Sequence, residues 1–135
     1  MAESAQRVLQ RDSGESVFSR ILSRLESLCE GFRAAVFFDS EGETIDYHSY
    51  LDPFDTRLLG AQYGVVLASG ATRSGWLGLG SLAMIHVYSW GHEALLFSLG
   101  EGFGLLVIMG KNSVSDDILA RIDEVIASLI EEAGI

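Results

Sequence analysis

The chain is poor in cysteine, in proline and in positive charge, and each shortage closes off a class of protein. Its single cysteine, Cys29, cannot form an internal disulfide, which suits a reducing compartment. One proline alongside a hydrophobic fraction of 48% argues against disorder. Lys and Arg number 9 against 19 Asp and Glu, a formal net charge of −10. There is no basic excess with which to grip nucleic acid or an anionic membrane surface. No uninterrupted apolar run reaches the roughly 18 residues of a membrane span, so no membrane insertion is expected. The opening stretch MAESAQRVLQRDSGES lacks the apolar core of a secretory signal, and a cytoplasmic location is expected. Catalytic constellations are also missing. The histidines, His48, His86 and His92, have no partners at ligand spacing, so neither a metal nor a cofactor is expected. Acidic residues are spread along solvent faces without a nucleophile, base and orienter together, so an enzyme is not expected.

What is present fits one domain of 135 residues with a sizeable core. Residues 1–15 are small and polar and read as a flexible tail, leaving 16–135 as the domain. From Ser16 to Glu30, Val17, Phe18, Ile21, Leu22, Leu25, Leu28 and Cys29 recur at helical spacing, and Gly31 can stop the helix. Cys29 falls on the apolar face as a small core residue. A hairpin follows. Ala34–Asp39 is apolar at nearly every position and predicts a central strand. Thr44–Tyr50 mixes polar and apolar residues and predicts an edge, with Gly42 in the turn between them.

Asp52-Pro53 opens a second helix that runs to about Thr72. It carries two apolar stripes. Phe54, Leu58, Ala61, Val65 and Ala68 cluster on one side; Leu59, Tyr63, Val66 and Leu67 gather roughly opposite. A helix resting on one sheet needs one stripe, so the second needs its own cover, and a partner helix is the preferred one. Gly60 and Gly64 could admit another backbone closely.

Gly70, Gly75, Gly78 and Gly80 follow a helix and lead into a strand, with no lysine, so this stretch does not read as a phosphate-binding loop. Trp76 is expected to plug the end of the sheet. Ser81–Trp90, Glu93–Leu99 and Phe103–Met109, parted by Gly91-His92 and Gly100-Glu101-Gly102, predict a three-stranded antiparallel meander in the middle of the sheet. His86 is expected to be half-buried and hydrogen-bonded, with His48 and His92 at the surface. The last helix, capped by Ser113 or Ser115, carries Ile118, Leu119, Ile122, Val125, Ile126, Leu129 and Ile130 on one face. Glu131 and Glu132 oppose its dipole, so its end should fray.

The order is α-β-β-α-β-β-β-α. That order resembles the roadblock/LC7 family from about Phe18 to Ile130. The carrying residues are Ala34-Ala35-Val36-Phe37-Phe38-Asp39 with Gly42 after them, Leu77-Gly78-Leu79-Gly80-Ser81-Leu82, and the Phe103–Met109 strand leading into the final helix. The resemblance implies an α+β sandwich: a five-stranded antiparallel sheet with helices one and three on one face and helix two on the other. It also implies a homodimer in which the first meander strand pairs with its copy and helix two packs on helix two. The interface would hold Leu59, Tyr63, Val66, Leu67, Met84, Ile85, His86, Val87 and Tyr88. The function implied is a non-enzymatic regulator or scaffold for a small Ras-like GTPase system in cell polarity or motility, acting directly or through another roadblock protein. A stand-alone domain of this length looks like the bacterial members. Arg57 and Arg73 read as a solvated face, not as arginine fingers. Longin-type and profilin-like domains share a similar order. The rival reading of the residues is a small-ligand sensor, with a pocket between helix two and the sheet near Trp76, Tyr88 and Trp90.

Overall fold

A computed structural model describes residues 8–135. The elements are α1 (Val17–Leu28), β1 (Ala34–Phe38), β2 (Thr44–Ser49), α2 (Pro53–Trp76), β3 (Met84–Tyr88), β4 (Glu93–Gly100), β5 (Phe103–Met109) and α3 (Asp116–Ala133). The strands form one antiparallel sheet in the order β2-β1-β5-β4-β3. The expected α+β sandwich is therefore present. β1 lies inside the sheet and β2 at its edge, as their sequences predict. The meander is present but sits differently from the expectation. Its last strand, β5, is the middle of the sheet; its first, β3, is shorter than Ser81–Trp90 and forms the second edge.

Local chemistry sets the helix ends. Ser16 and Ser19 bond each other's backbone N–H at the start of α1. Asp52 accepts from the N–H groups of Phe54 and Asp55, with Pro53 in the first turn of α2. Ser115 caps α3. α2 continues past Thr72 to Trp76. The expected fraying of α3 does not occur, because Gly134 at φ 73° turns its N–H back to Ile130 and Glu131 carbonyls.

The sheet is covered on both faces. α1 and α3 pack together on one, laying Leu22, Leu25, Ile122, Val125 and Leu129 over Phe37, Leu95, Leu105 and Val107. α2 covers the other with Leu59, Tyr63 and Leu67 over Val36, Phe38, Leu96, Leu106 and Ile108. Each fully buried side chain of this size stabilises the fold by about 1.5–3 kcal/mol. Cover on both faces is why β1, β4 and β5 read as unbroken apolar runs. Cys29 is buried among them, and burial pushes its thiol up to about 11, so it is a core residue and not a nucleophile.

α2 does not lie over the centre of its face. It rests chiefly on β1 and β2. A Cβ on Gly60 would stand 2.9 Å from Val36 Cγ1, and one on Gly64 would stand 3.3 Å from the backbone of Gly42. The close approach that these glycines allow is thus to the chain's own hairpin and not to a partner's backbone. The offset leaves Ile85 and Val87 of β3 only half covered on that face.

Candidate functional site

Three surfaces converge on α2 and the two sheet edges. The first is α2 itself, whose two stripes exchange the roles expected of them. Leu67 is 5% exposed and belongs to the core under the helix. Leu59 and Tyr63 are half-buried against the same core, and Val66, on their flank, is 43% exposed. The stripe expected to need a partner has found its cover in the sheet. The uncovered stripe is Phe54, Leu58, Ala61, Val65 and Ala68, which points to solvent, with Val65 70% exposed. Spacings of four and three residues make this an apolar seam along the helix. Thr56, Gly60 and Leu67, all buried, mark the true inner face. Two stripes of similar apolarity hid that choice in the sequence; the glycines were the available signal.

The second surface is the β3 edge. Ser98 N–H donates to Ala83 O and Ser89 N–H to His92 O, so the odd-numbered backbone groups of this strand bond β4. Those of Met84, His86 and Tyr88 therefore face outward, where no strand lies among the described residues. Exposed apolar residues flank this edge at both ends. Trp76, Leu77 and Leu79 precede it; Tyr88 and Trp90 close it, with Trp90 93% exposed. Trp76 therefore does not plug the sheet. The Lys111 ammonium lies 5.2 Å from the Tyr88 ring centroid and 5.5 Å from that of Trp90. Met84, Ile85 and Val87 are half-buried; His86 and Tyr88 are exposed. His86 Nε2 contacts the buried Glu93 at 2.5 Å, and Glu93 also accepts from the N–H groups of Asn112 and Ser113.

The third surface is the β2 edge, and sequence reasoning missed it. The expected tail covers residues 1–7, which lie outside the described residues, and residues 8–15, of which Gln10, Arg11 and Asp12 bond β2 and α2. Gln10 N–H donates to Ser49 O at 2.8 Å. Arg11 donates to Tyr47 O at 2.7 Å and to Asp46 Oδ1 at 2.9 Å. Asp12 takes both terminal nitrogens of Arg57, at 2.7 and 2.9 Å, and the Tyr47 hydroxyl at 2.7 Å. Tyr47 lies beneath both guanidinium groups. The hydrogen bond from Arg57 holds the Asp12 carboxyl well below the usual carboxylate range, helped by that from Tyr47. Arg57 is raised by the same bond, and Tyr47 is raised first by burial and then by Asp12. Arg57 is exposed, as expected, but it is also paired with Asp12. Arg73 bonds Ser69 one turn back along α2.

His48 also departs from expectation. It is buried on β2, with Nε2 2.7 Å from Glu26 Oε1, and Tyr50 donates its hydroxyl to the other oxygen of Glu26. This ties α1 to β2. Among the described residues no three His, Cys, Asp or Glu side chains come together as a metal set would. No helix among them is long and apolar enough to cross a membrane. A cleft between α2 and the sheet, lined by Arg33, Leu51, Leu59, Tyr63, His92 and Ile108, encloses about 150 Å³. Ligand pockets usually start near 300 Å³. Trp76, Tyr88 and Trp90 do not line this cleft.

No family model matches the sequence, and no curated protein matches it. Solved structures do. A roadblock/LC7 domain from Streptomyces avermitilis superposes with a TM-score of 0.79 at 17% identity, over 87% of this chain and 98% of that one. MglB of Myxococcus xanthus gives 0.78 at 14%, over 90% and 98%. The gliding protein MglB from Thermus thermophilus gives 0.69 at 16%, over 85% and 89%. Likeness at these identities is likeness of fold, and it agrees with the element order, the sheet and the helix placement: this chain has the roadblock/LC7 fold.

Proposed function

We propose that the chain is a non-enzymatic, homodimeric regulatory or scaffold protein of a bacterial cytoplasm, serving a small Ras-like GTPase system of cell polarity or motility directly or through another roadblock protein. The observation that carries the dimer is the open β3 edge beside an off-centre α2. A two-fold axis near His86 pairs Met84, His86 and Tyr88 with their copies. It also brings the partner's α2 toward the half-covered Ile85 and Val87 and the flank at Leu59, Tyr63 and Val66. Trp90 of one copy then approaches residues 79–82 of the other. An isologous contact of this kind uses up the edge and closes. Pairing also removes the aggregation hazard of an exposed edge.

The dimer leaves the outer seam of α2, Phe54 to Ala68, facing solvent twice over. That seam is where the GTPase or the second roadblock protein binds. Both arginines near α2 are engaged, Arg57 by Asp12 and Arg73 by Ser69, so the role is placement of a partner and not donation of a charge to its chemistry. The gliding proteins among the similar structures support the motility setting. The small-ligand sensor has less support: the cleft under α2 is small, and larger hollows, at the C-terminal end of α2 and beside Tyr88 and Trp90, lie open to solvent.

Light scattering at micromolar concentration is expected to give the mass of a dimer; a stable monomer overturns the β3 pairing. Val65→Asp keeps that mass and abolishes capture of the host's Ras-like GTPases and roadblock proteins. Capture that survives Val65→Asp moves the partner off the seam.

A further inference from the structure

The β2 edge is shut by the chain's own residues 10–12, which the proposed function uses only as the partner of Arg57. Tyr50 N–H donates to Arg33 O, so Tyr47 and Ser49 turn their backbone groups away from β1. Among the described residues, the contacts of Tyr47 and Ser49 on that side come from the segment and from Asp46. Ser49 O is taken by Gln10 N–H, Tyr47 O by Arg11, and Tyr47 N–H by Asp46 Oδ1. The segment lies along the edge without forming a strand, and one of its bonds to β2 is backbone to backbone. Its anchor to α2, Asp12 with Arg57, is nearly half exposed on both sides, where salt screens it.

We propose that Gln10-Arg11-Asp12 is a latch on the β2 edge, and that its release opens a second strand-pairing surface whose occupant is the β2 edge of a second copy. The seated latch shows that this edge accepts a backbone donor, at Ser49 O. The edge continues the same sheet, and release frees Tyr47 O and Ser49 O for outward N–H groups of a copy, while Tyr47 N–H stays on its own Asp46. With the latch off, one acid, Asp46, and one base, Arg57, flank Tyr47, an arrangement that is self-complementary about a two-fold axis. The latch thus limits assembly, because a chain with one open edge forms a closed pair whereas a chain with two can extend. This rests on β2 alone and stands whether or not β3 pairs.

The test uses the full chain carrying Gln10→Pro, Arg11→Ala and Asp12→Ala together. These remove the backbone donor and both ionic contacts. The unmodified chain's mass reads the β3 pairing; the change on unlatching reads the latch. Light scattering is expected to give about twice the unmodified mass or more at equal concentration. Adding Ile45→Lys, a charge on the β2 edge, is expected to restore the unmodified mass. An unlatched chain that melts cooperatively at the unmodified mass overturns the proposal, and so does a rise in mass that Ile45→Lys leaves in place. Should the triple variant not fold, Arg57→Ala alone decides. Exchange of the Gln10 amide is expected to quicken roughly fivefold or more, with a mass that climbs with concentration. Unchanged exchange or unchanged mass in that variant overturns it.

Discussion

The two edges of one sheet meet water in different ways. β2 carries a mixed sequence with Asp46 and His48 turned into buried contacts, and the N-terminal segment lies across its outward carbonyls. β3 is more apolar, carries nothing across its outward groups among the described residues, and is flanked by exposed Trp76, Leu77, Leu79 and Trp90. An edge is a template for another strand unless something covers or charges it. The β2 edge is covered within the chain, and the bare apolar β3 edge is the one the proposed dimer uses. The same contrast runs across α2, with glycines pressed onto the β2 side and a half-covered shelf on the β3 side.

The largest test of this contrast is Val87→Pro. The Val87 backbone faces β4 opposite Ala94, so losing its N–H breaks the ladder within the protomer. A large drop in melting temperature is expected. Asp46→Ala comes next. It strips the partner from Arg11, the Ser16 hydroxyl and the Tyr47 N–H, and about 2–3 kcal/mol of stability should go with it in denaturant titrations. Met84→Pro is the sharpening variant, because the Met84 N–H faces the open edge and not β4. The expected result is halved mass by light scattering with the protomer's melt changed by less than about 1 kcal/mol. If Met84→Pro stays dimeric, β3 does not pair across the axis. The smallest effect is acid release of the latch. Arg57 lowers the Asp12 carboxyl in the folded state, so its contribution is present above the ordinary carboxylate value near ~4 and is lost only as pH falls through the lowered value. Protection of the Gln10 amide should therefore persist at pH 4; loss of protection between pH 5 and 6 would contradict the Asp12–Arg57 anchor.

Much of this was legible in the residues. Ala34–Phe38, apolar throughout, announced a strand covered on both faces. Asp52-Pro53 announced a helix start. The seven apolar positions of the last helix announced one packed face. The two-striped second helix announced that one side would be left over. Which side was left over could not be read, since Leu59, Tyr63 and Leu67 are no more apolar than Leu58, Val65 and Phe54. The choice was made by Gly60 and Gly64, whose missing side chains let one face reach Val36 and Gly42. His48 reads as a surface residue until Glu26, from a different element, is placed beside it. Arg57 reads as merely solvated until Asp12 arrives from the far side of α1.

The sequence by itself determined the element order and the strands of the core, because these depend on periodicity and residue type along a continuous stretch. Only the tertiary structure decided which stripe of α2 faces water, which sheet edge is closed and what Arg11, Asp12 and His48 do. Those outcomes depend on contacts between residues far apart in the chain, and local pattern carries no record of them. The meander that looks like the centre of the sheet shows this most plainly. Its three strands are visible in the sequence, but that β3 ends at an open edge follows only from β1 taking the other side of β5.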